Sequence, residues 1–179
     1  AYTFGFQRVI TNRSNWLHLY GELTHLESAL PFRGGRGVVT FYIHSQVTQG
    51  YTQDGQLLAA WIGPGSDAQI IGGDLYTSGG LIGIYLERVR HDDDAYYNIW
   101  APYYGSHGHD VELTGGLRNV RLIKGLELTS EIAFSHRYNP RFIGLDGSNY
   151  DFRSENNLYG NLKVSWRPPA GRFRKSIAH

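Results

Sequence analysis

The stretch Asp92–Gly108 concentrates the side chains best suited to hold a ligand. Asp92, Asp93 and Asp94 stand in a row, followed by Tyr96, Tyr97, Trp100, Tyr103 and Tyr104, then His107 and His109. Aromatic faces stack on the apolar faces of sugar rings, while carboxylates and imidazoles take up hydroxyl hydrogen bonds. These residues are the candidate glycan contacts. The same composition also suits an aromatic girdle at a membrane interface beside a solvated acidic turn. A second oxygen-rich run, Asp146-Gly147-Ser148-Asn149-Tyr150-Asp151, offers ligands of the kind Ca²⁺ takes. It lacks the EF-hand spacing and closing Glu, so an ordinary turn is expected.

Catalysis needs a nucleophile beside an oriented base. Ser135 and His136 are adjacent, so on a strand they point to opposite faces and form no dyad. His91 beside Asp92 offers a base, but no serine is marked by a motif, and Gly63-Pro64-Gly65-Ser66-Asp67 does not match G-x-S-x-G. His107 and His109 fall on one side of an extended chain, a metal pair with no third ligand evident. There is no Cys, which removes disulfides and thiolate metal sites. The expectation is a protein that is not an enzyme and carries no metal or cofactor.

The elements that position these groups are read from a two-residue period. In Ser14–Glu27, Leu17, Leu19, Gly21 and Leu23 oppose His18, Tyr20, Glu22 and Thr24. In Leu81–His91, Ile82, Ile84 and Leu86 oppose Gly83, Tyr85, Glu87 and His91. Asp110–Arg118, Leu126–Tyr138 and Asn157–Arg167 repeat the pattern, and Tyr2–Gln7, Val39–His44 and Ile71–Tyr76 follow it less cleanly. A 180° repeat marks strands with one apolar and one polar face. The pattern predicts about eight strands, most of about 10–13 residues, against about 5–6 in soluble sheets and about 9–11 in tilted membrane strands. His44, Asp74, Tyr85, Glu87, Glu112, Arg118, Glu131 and Arg137 then face a polar lumen. Acid–base pairs such as Glu131 with Arg118 would staple that interior, the alternative being a polar track open to a polysaccharide or ion.

Composition agrees with an antiparallel barrel. The 179 residues hold 23 Gly, 13 Tyr and 14% aromatics, well above the roughly 7% Gly of average domains. Glycine relieves crowding at bends, and Tyr and Trp favour membrane–water interfaces. Net charge is +1, which argues against a nucleic-acid partner. Mean hydropathy is −0.38, and no run approaches the ~18 apolar residues of a membrane helix. A barrel keeps mean hydropathy low because only alternate residues face lipid. The sequence opens at Ala1 without Met or an apolar leader, as expected of a mature chain after signal removal or a piece of something longer.

Link lengths give an orientation. Tyr51–Asp67, Asp92–Gly108 and Asn139–Arg153 are long and fall on one side, whereas Thr77–Gly80 and Ile123–Gly125 are tight and fall on the other with Ser28–Arg36. Short periplasmic turns and long external loops are the rule for outer-membrane barrels. The short link near Asn12–Asn15 is a misfit, since this assignment puts it outside. The strands are assigned to residues 1–167, with a basic tail over 168–179 containing Arg172, Arg174 and Lys175.

Two segments carry a family resemblance. Gly50-Tyr51-Thr52-Gln53-Asp54-Gly55-Gln56, with Ile62-Gly63-Pro64-Gly65-Ser66-Asp67-Ala68 after it, resembles an aromatic-x-x-x-Gly segment leading to a Gly/Pro–Asp loop in the Wzi-type capsule-assembly family of bacterial outer-membrane barrels. Tyr85-Leu86-Glu87-Arg88-Val89-Arg90-His91-Asp92-Asp93 is similar to that family's strand ending at the outer rim. The resemblance implies the C-terminal portion of a larger barrel, without the family's N-terminal helical part. It also implies an outer-membrane location and a role in retaining or assembling capsular polysaccharide. The expected fold is an all-β, antiparallel up-and-down transmembrane β-barrel, complete or part of a larger one. The expected partners are outer-membrane lipid, capsular polysaccharide and other parts of a longer barrel. The competing functions are a lipid-modifying enzyme on a small barrel, such as a lipid A deacylase, and a plain structural barrel or narrow pore.

Overall fold

Among the described residues, period-two alternation becomes seven long strands joined edge to edge in one antiparallel sheet. A computed structural model describes residues 1–12, 14–28, 52–53, 56–57, 60–105, 108–142 and 153–166. The long strands are β1 (Tyr2–Asn12), β2 (Asn15–His25), β5 (Asp67–Thr77), β6 (Gly80–His91), β7 (Asp110–Ile123), β8 (Leu126–Tyr138) and β9 (Ser154–Trp166). A small separate hairpin pairs β3 (Thr52–Gln53) with β4 (Gln56–Leu57). The sheet order is β1-β2-β5-β6-β7-β8-β9, an up-and-down path with every pair antiparallel. Six of these strands run 11 to 13 residues, within the expected range, and β7 runs to 14. Among the described residues β1 pairs only with β2 and β9 only with β8, so the sheet is not closed into a barrel.

The path changes two expectations. The run Val39–His44, with its candidate His44, lies outside the described residues; because β2 pairs directly with β5, no strand sits between them. The link after β2 therefore leaves from the end that carries the long loops, not from the tight-turn end as Ser28–Arg36 was assigned. Asn12 and Asn15 face each other at the opposite end, as do Thr77 with Gly80 and Ile123 with Leu126. All three tight turns thus share one end, and the misfit disappears. Lys124 (φ 43°) and Gly125 (φ 88°) both take positive φ, the backbone that lets a two-residue turn follow the strand twist. Gly80 (φ 141°) admits no side chain, because a Cβ there would fall onto the Val120 carbonyl oxygen.

The two faces of the sheet differ in packing. The apolar face is the open one: Phe4 is 71% exposed, Ile84 58% and Leu162 69%. Arg8 and the Asn119–Ser130 pair share this face by register. The polar face is the crowded one, with Asp74 at 1% exposure and Thr24 and Ser135 also buried. Glycines make room there. Tyr20 lies over Gly72 of the next strand, Tyr85 over Gly116, and the Asp74–Arg118 pair over Gly83. Each large polar side chain fills space that its neighbour leaves empty. A small apolar core of Leu26, Ile62, Ala68 and Val89 sits at the loop end. No described helix is long and apolar enough to cross a membrane, which says nothing of strands.

Candidate functional site

At the loop end, three segments distant in sequence are tied by backbone hydrogen bonds. Leu26 N–H donates to the Ser66 carbonyl at 2.9 Å, Gly65 N–H to Leu26 at 3.1 Å, and Asp93 N–H to Gly65 at 2.6 Å. Gly65 sits at φ +67°, and a Cβ there would meet Asp92 Oδ1 at 2.8 Å and Asp94 Cβ at 3.0 Å, so the close approach demands glycine. From this knot rises a short helical loop: α1 (Asp93–Ala95), a π-helical turn (Tyr96–Trp100) and α2 (Ala101–Tyr104), ended by Gly105 at φ 65°.

The three consecutive aspartates have three separate jobs. Asp92, in the left-handed region at φ 44°, caps α1 by accepting the Ala95 N–H at 3.2 Å. Asp94 accepts the Ser28 N–H at 2.9 and 3.1 Å and the Ser28 hydroxyl at 2.9 Å. Asp93 Oδ1 lies 2.8 Å from His109 Nδ1, and its Oδ2 lies 2.9 Å from Arg90 Nε. The Arg90–Asp93 contact is close but misaligned, so it is Coulombic and leaves both atoms without a hydrogen bond among the described residues. Arg90 also pairs with Glu27 and, at 3.2 Å, with Asp67. Burial pushes the Asp92 carboxyl above its ordinary range; the Ala95 N–H opposes this, and the repulsion of Asp94, Asp93 and Asp110 adds to it. Burial raises the Tyr96 hydroxyl too, with smaller contributions from Tyr97 and Asp93.

A second ionic node stands beside the first. Arg137 grips Asp110 through Nε and Nη2, both at 2.7 Å, and the Arg141 N–H donates to the same carboxylate at 2.8 Å. Asn139, at φ 50°, donates its side-chain amide to the Gly108 carbonyl and its backbone N–H to Arg153 at 2.7 Å. Aromatic rings rest on these two nodes. Tyr96 is buried, 4.0 Å from the His109 ring and 5.8 Å from Phe142. Trp100 lies 5.7 Å from Phe142 and 5.0 Å from Tyr104.

The sequence-predicted contacts are therefore sorted into two layers. Asp93 and Asp94 are fully buried, so their carboxylates brace the loop instead of facing a ligand, which differs from the expectation of direct hydroxyl contacts. Tyr96 and His109 belong to the same inner layer. Tyr97, Tyr103 and Tyr104 are exposed, Tyr103 at 79%, and half-buried Trp100 contacts the Tyr104 ring. His107 falls outside the described residues. Sequence reasoning missed Phe142 and the bracing set Glu27, Ser28, Asp67 and Arg90. For Asp67 and Arg90 the one available signal is their position at strand ends on the long-loop side; Glu27 adjoins Ser28–Arg36, which link length puts at the other end.

The described lumen candidates share one face by register, but their pairing differs from expectation. Glu131 stands opposite Arg118, yet Arg118 reaches over Gly83 to Asp74, with Nε at 2.9 Å from Oδ1. Tyr85 crosses Gly116 and donates to Glu131 at 3.0 Å. Glu112 lies 3.2 Å from His91 Nε2, and Glu87 faces the same side beside Thr114. Ser135 and His136 do point to opposite faces, one buried among these groups and the other 2.6 Å from Asn156 Oδ1. Among the described residues, His25, Glu27 and Asp67 bring ligand atoms within 4.8 Å of one another. Arg90 already supplies the cation at Glu27 and Asp67. Comparison with protein-family models, with curated proteins and with solved structures finds no match to this chain.

Proposed function

We propose that this chain forms part of the wall of a bacterial outer-membrane β-barrel and that its loop end holds polysaccharide at the cell surface, as its resemblance to the Wzi-type capsule-assembly family implies. The observation that carries the proposal is the inverted packing: polar side chains are buried and interlocked while aliphatic and aromatic ones stand open. In water, so large an exposed apolar face would be costly, since contiguous patches on soluble monomers stay within a few hundred Å². Against hydrocarbon the same face is at home, and the polar face becomes the inner wall. Gathering every long link at one end agrees with external loops and short periplasmic turns.

The loop then works as a braced aromatic platform. Buried Asp93 and Asp94 fix its base to Ser28 after β2, Arg90 of β6 and His109 just before β7, and Tyr97, Tyr103 and Tyr104 are exposed. Rigid aromatic area binds sugar faces with little ordering cost. The role is retention by binding, with no bond made or broken. The test is affinity electrophoresis of the full chain in detergent through gels containing capsular polysaccharide. Tyr103→Ala removes the most exposed ring and should weaken retardation by about 2- to 10-fold, the scale of one aromatic contact. Equal mobility of parent and variant, or no retardation of the parent, would sink the glycan role.

A further inference from the structure

We propose that the apolar face carries a built site for one membrane lipid, with an acyl chain lying along Gly115 and the phosphate headgroup held by Arg88. This rests on the lipid-facing orientation proposed above. Three adjacent strands present Leu86, Gly115 and Phe134 in one cross-strand row, so the missing side chain of Gly115 opens a furrow between two bulky neighbours. Ile71 and Leu113 continue its walls, forming a groove of about 600 Å³. Its floor is open: a Cβ on Gly115 would touch only Leu86 Cδ2, at 3.4 Å.

The next row toward the loop end changes character. It runs Gln69, Arg88, Leu113, His136, and no carboxylate stands in it. Arg88 is 37% exposed and, among the described residues, uses Nη1 alone for its bonds to Asp67 at 3.1 Å and Gln69 at 2.8 Å. The rest of its planar fork, Nε and Nη2, is left for an anion, the geometry that suits a phosphate. A cationic fork at the mouth of an apolar furrow matches a molecule with an anionic head on a hydrocarbon tail. Strands lie about 4.8 Å apart, so the furrow is offset from Arg88 by a single strand, well within the reach of its side chain.

The test is native mass spectrometry of the full chain in detergent, titrated with dioleoyl-phosphatidylglycerol, with dioleoylglycerol and with glycerol phosphate. The expected result is one phosphatidylglycerol bound at least tenfold tighter than either half-molecule. Arg88→Gln should weaken it at least tenfold. Gly115→Val, which fills the furrow without meeting backbone, should do the same, while Gly160→Val on the same face but outside the groove should not. Dioleoylglycerol bound as tightly as phosphatidylglycerol, or parent-like affinity in folded Arg88→Gln or Gly115→Val, overturns the site. Flotation of the parent with phosphatidylcholine vesicles separates the two proposals. No flotation means the lipid-facing orientation has failed, whereas flotation without headgroup and groove dependence means that only this site has.

Discussion

Replacing Ile84 by arginine asks directly what solvent the open face meets. Ile84 lies on that face, 58% exposed, with Gly73 of β5 and Leu117 of β7 beside it. It stands four residues along β6 from Gly80 at the tight-turn end. At about 3.3 Å per residue and a tilt near 40°, that is about 10 Å above the turn, close to the middle of a hydrocarbon band about 25 Å tall. An arginine at that depth costs about 2–4 kcal/mol, whereas an exposed substitution in water usually stays within about 0.5 kcal/mol. The folding equilibrium of Ile84→Arg in lipid vesicles should therefore fall by roughly 30- to 900-fold. Leu126 opens β8 at the turn itself, so Leu126→Arg should cost about 0–1 kcal/mol. Urea titration of the full chain in phospholipid vesicles, followed by tryptophan fluorescence, measures both. If Ile84→Arg matches the parent, the open face does not meet hydrocarbon and the surface-barrel function goes with it.

Two further substitutions probe the packed face and the loop. Gly116→Val places methyl groups where the Tyr85 ring lies, so the ring must swing away from Glu131; a loss of about 1–3 kcal/mol is expected by the same titration, and a neutral result would mean the Tyr-over-Gly packing contributes nothing. Asp92 has a raised carboxyl pKa, so the folded loop holds that proton more tightly than the unfolded chain does. Its stabilising share is fully present below the ordinary value of 3.8 and is lost as pH rises through the raised one. Asp92→Asn keeps an oxygen for the Ala95 N–H and tolerates φ 44°, so it should flatten this dependence and protect segment 93–104 better at pH 7. Hydrogen exchange of the segment at pH 4 and pH 7 decides it; an unchanged pH slope in the variant refutes the assignment.

The strands were legible because their signal is local. Ile82, Ile84 and Leu86 against Gly83, Tyr85 and Glu87 need only their own neighbours to declare a face. The pairing across strands was not legible, because it depends on gaps. Arg118 stands opposite Glu131 but bonds to Asp74, two strands to the other side, since Gly83 leaves a path. The aspartate triplet misled for a related reason: the groups that claim Asp93 and Asp94 come from residues 28, 90 and 109. Polar residues crowded in a loop look solvated until the tertiary partners are known. Phe142 gave no warning, being one apolar residue in a turn far from the loop it supports. The side given to Ser28–Arg36 differs from the structure because link length alone does not reveal that β2 pairs directly with β5.

The count of strands has its own implication for topology. Because seven is odd, β1 and β9 both run from the long-loop end toward the tight-turn end. Curling the sheet round on itself would set those two outer strands side by side in the same direction, breaking the antiparallel rule of such cylinders. A second copy inserted with the same polarity meets the same conflict at each seam. An all-antiparallel ring that includes this sheet must therefore recruit an odd number of additional strands, the first and last of them running opposite to the two edges they join.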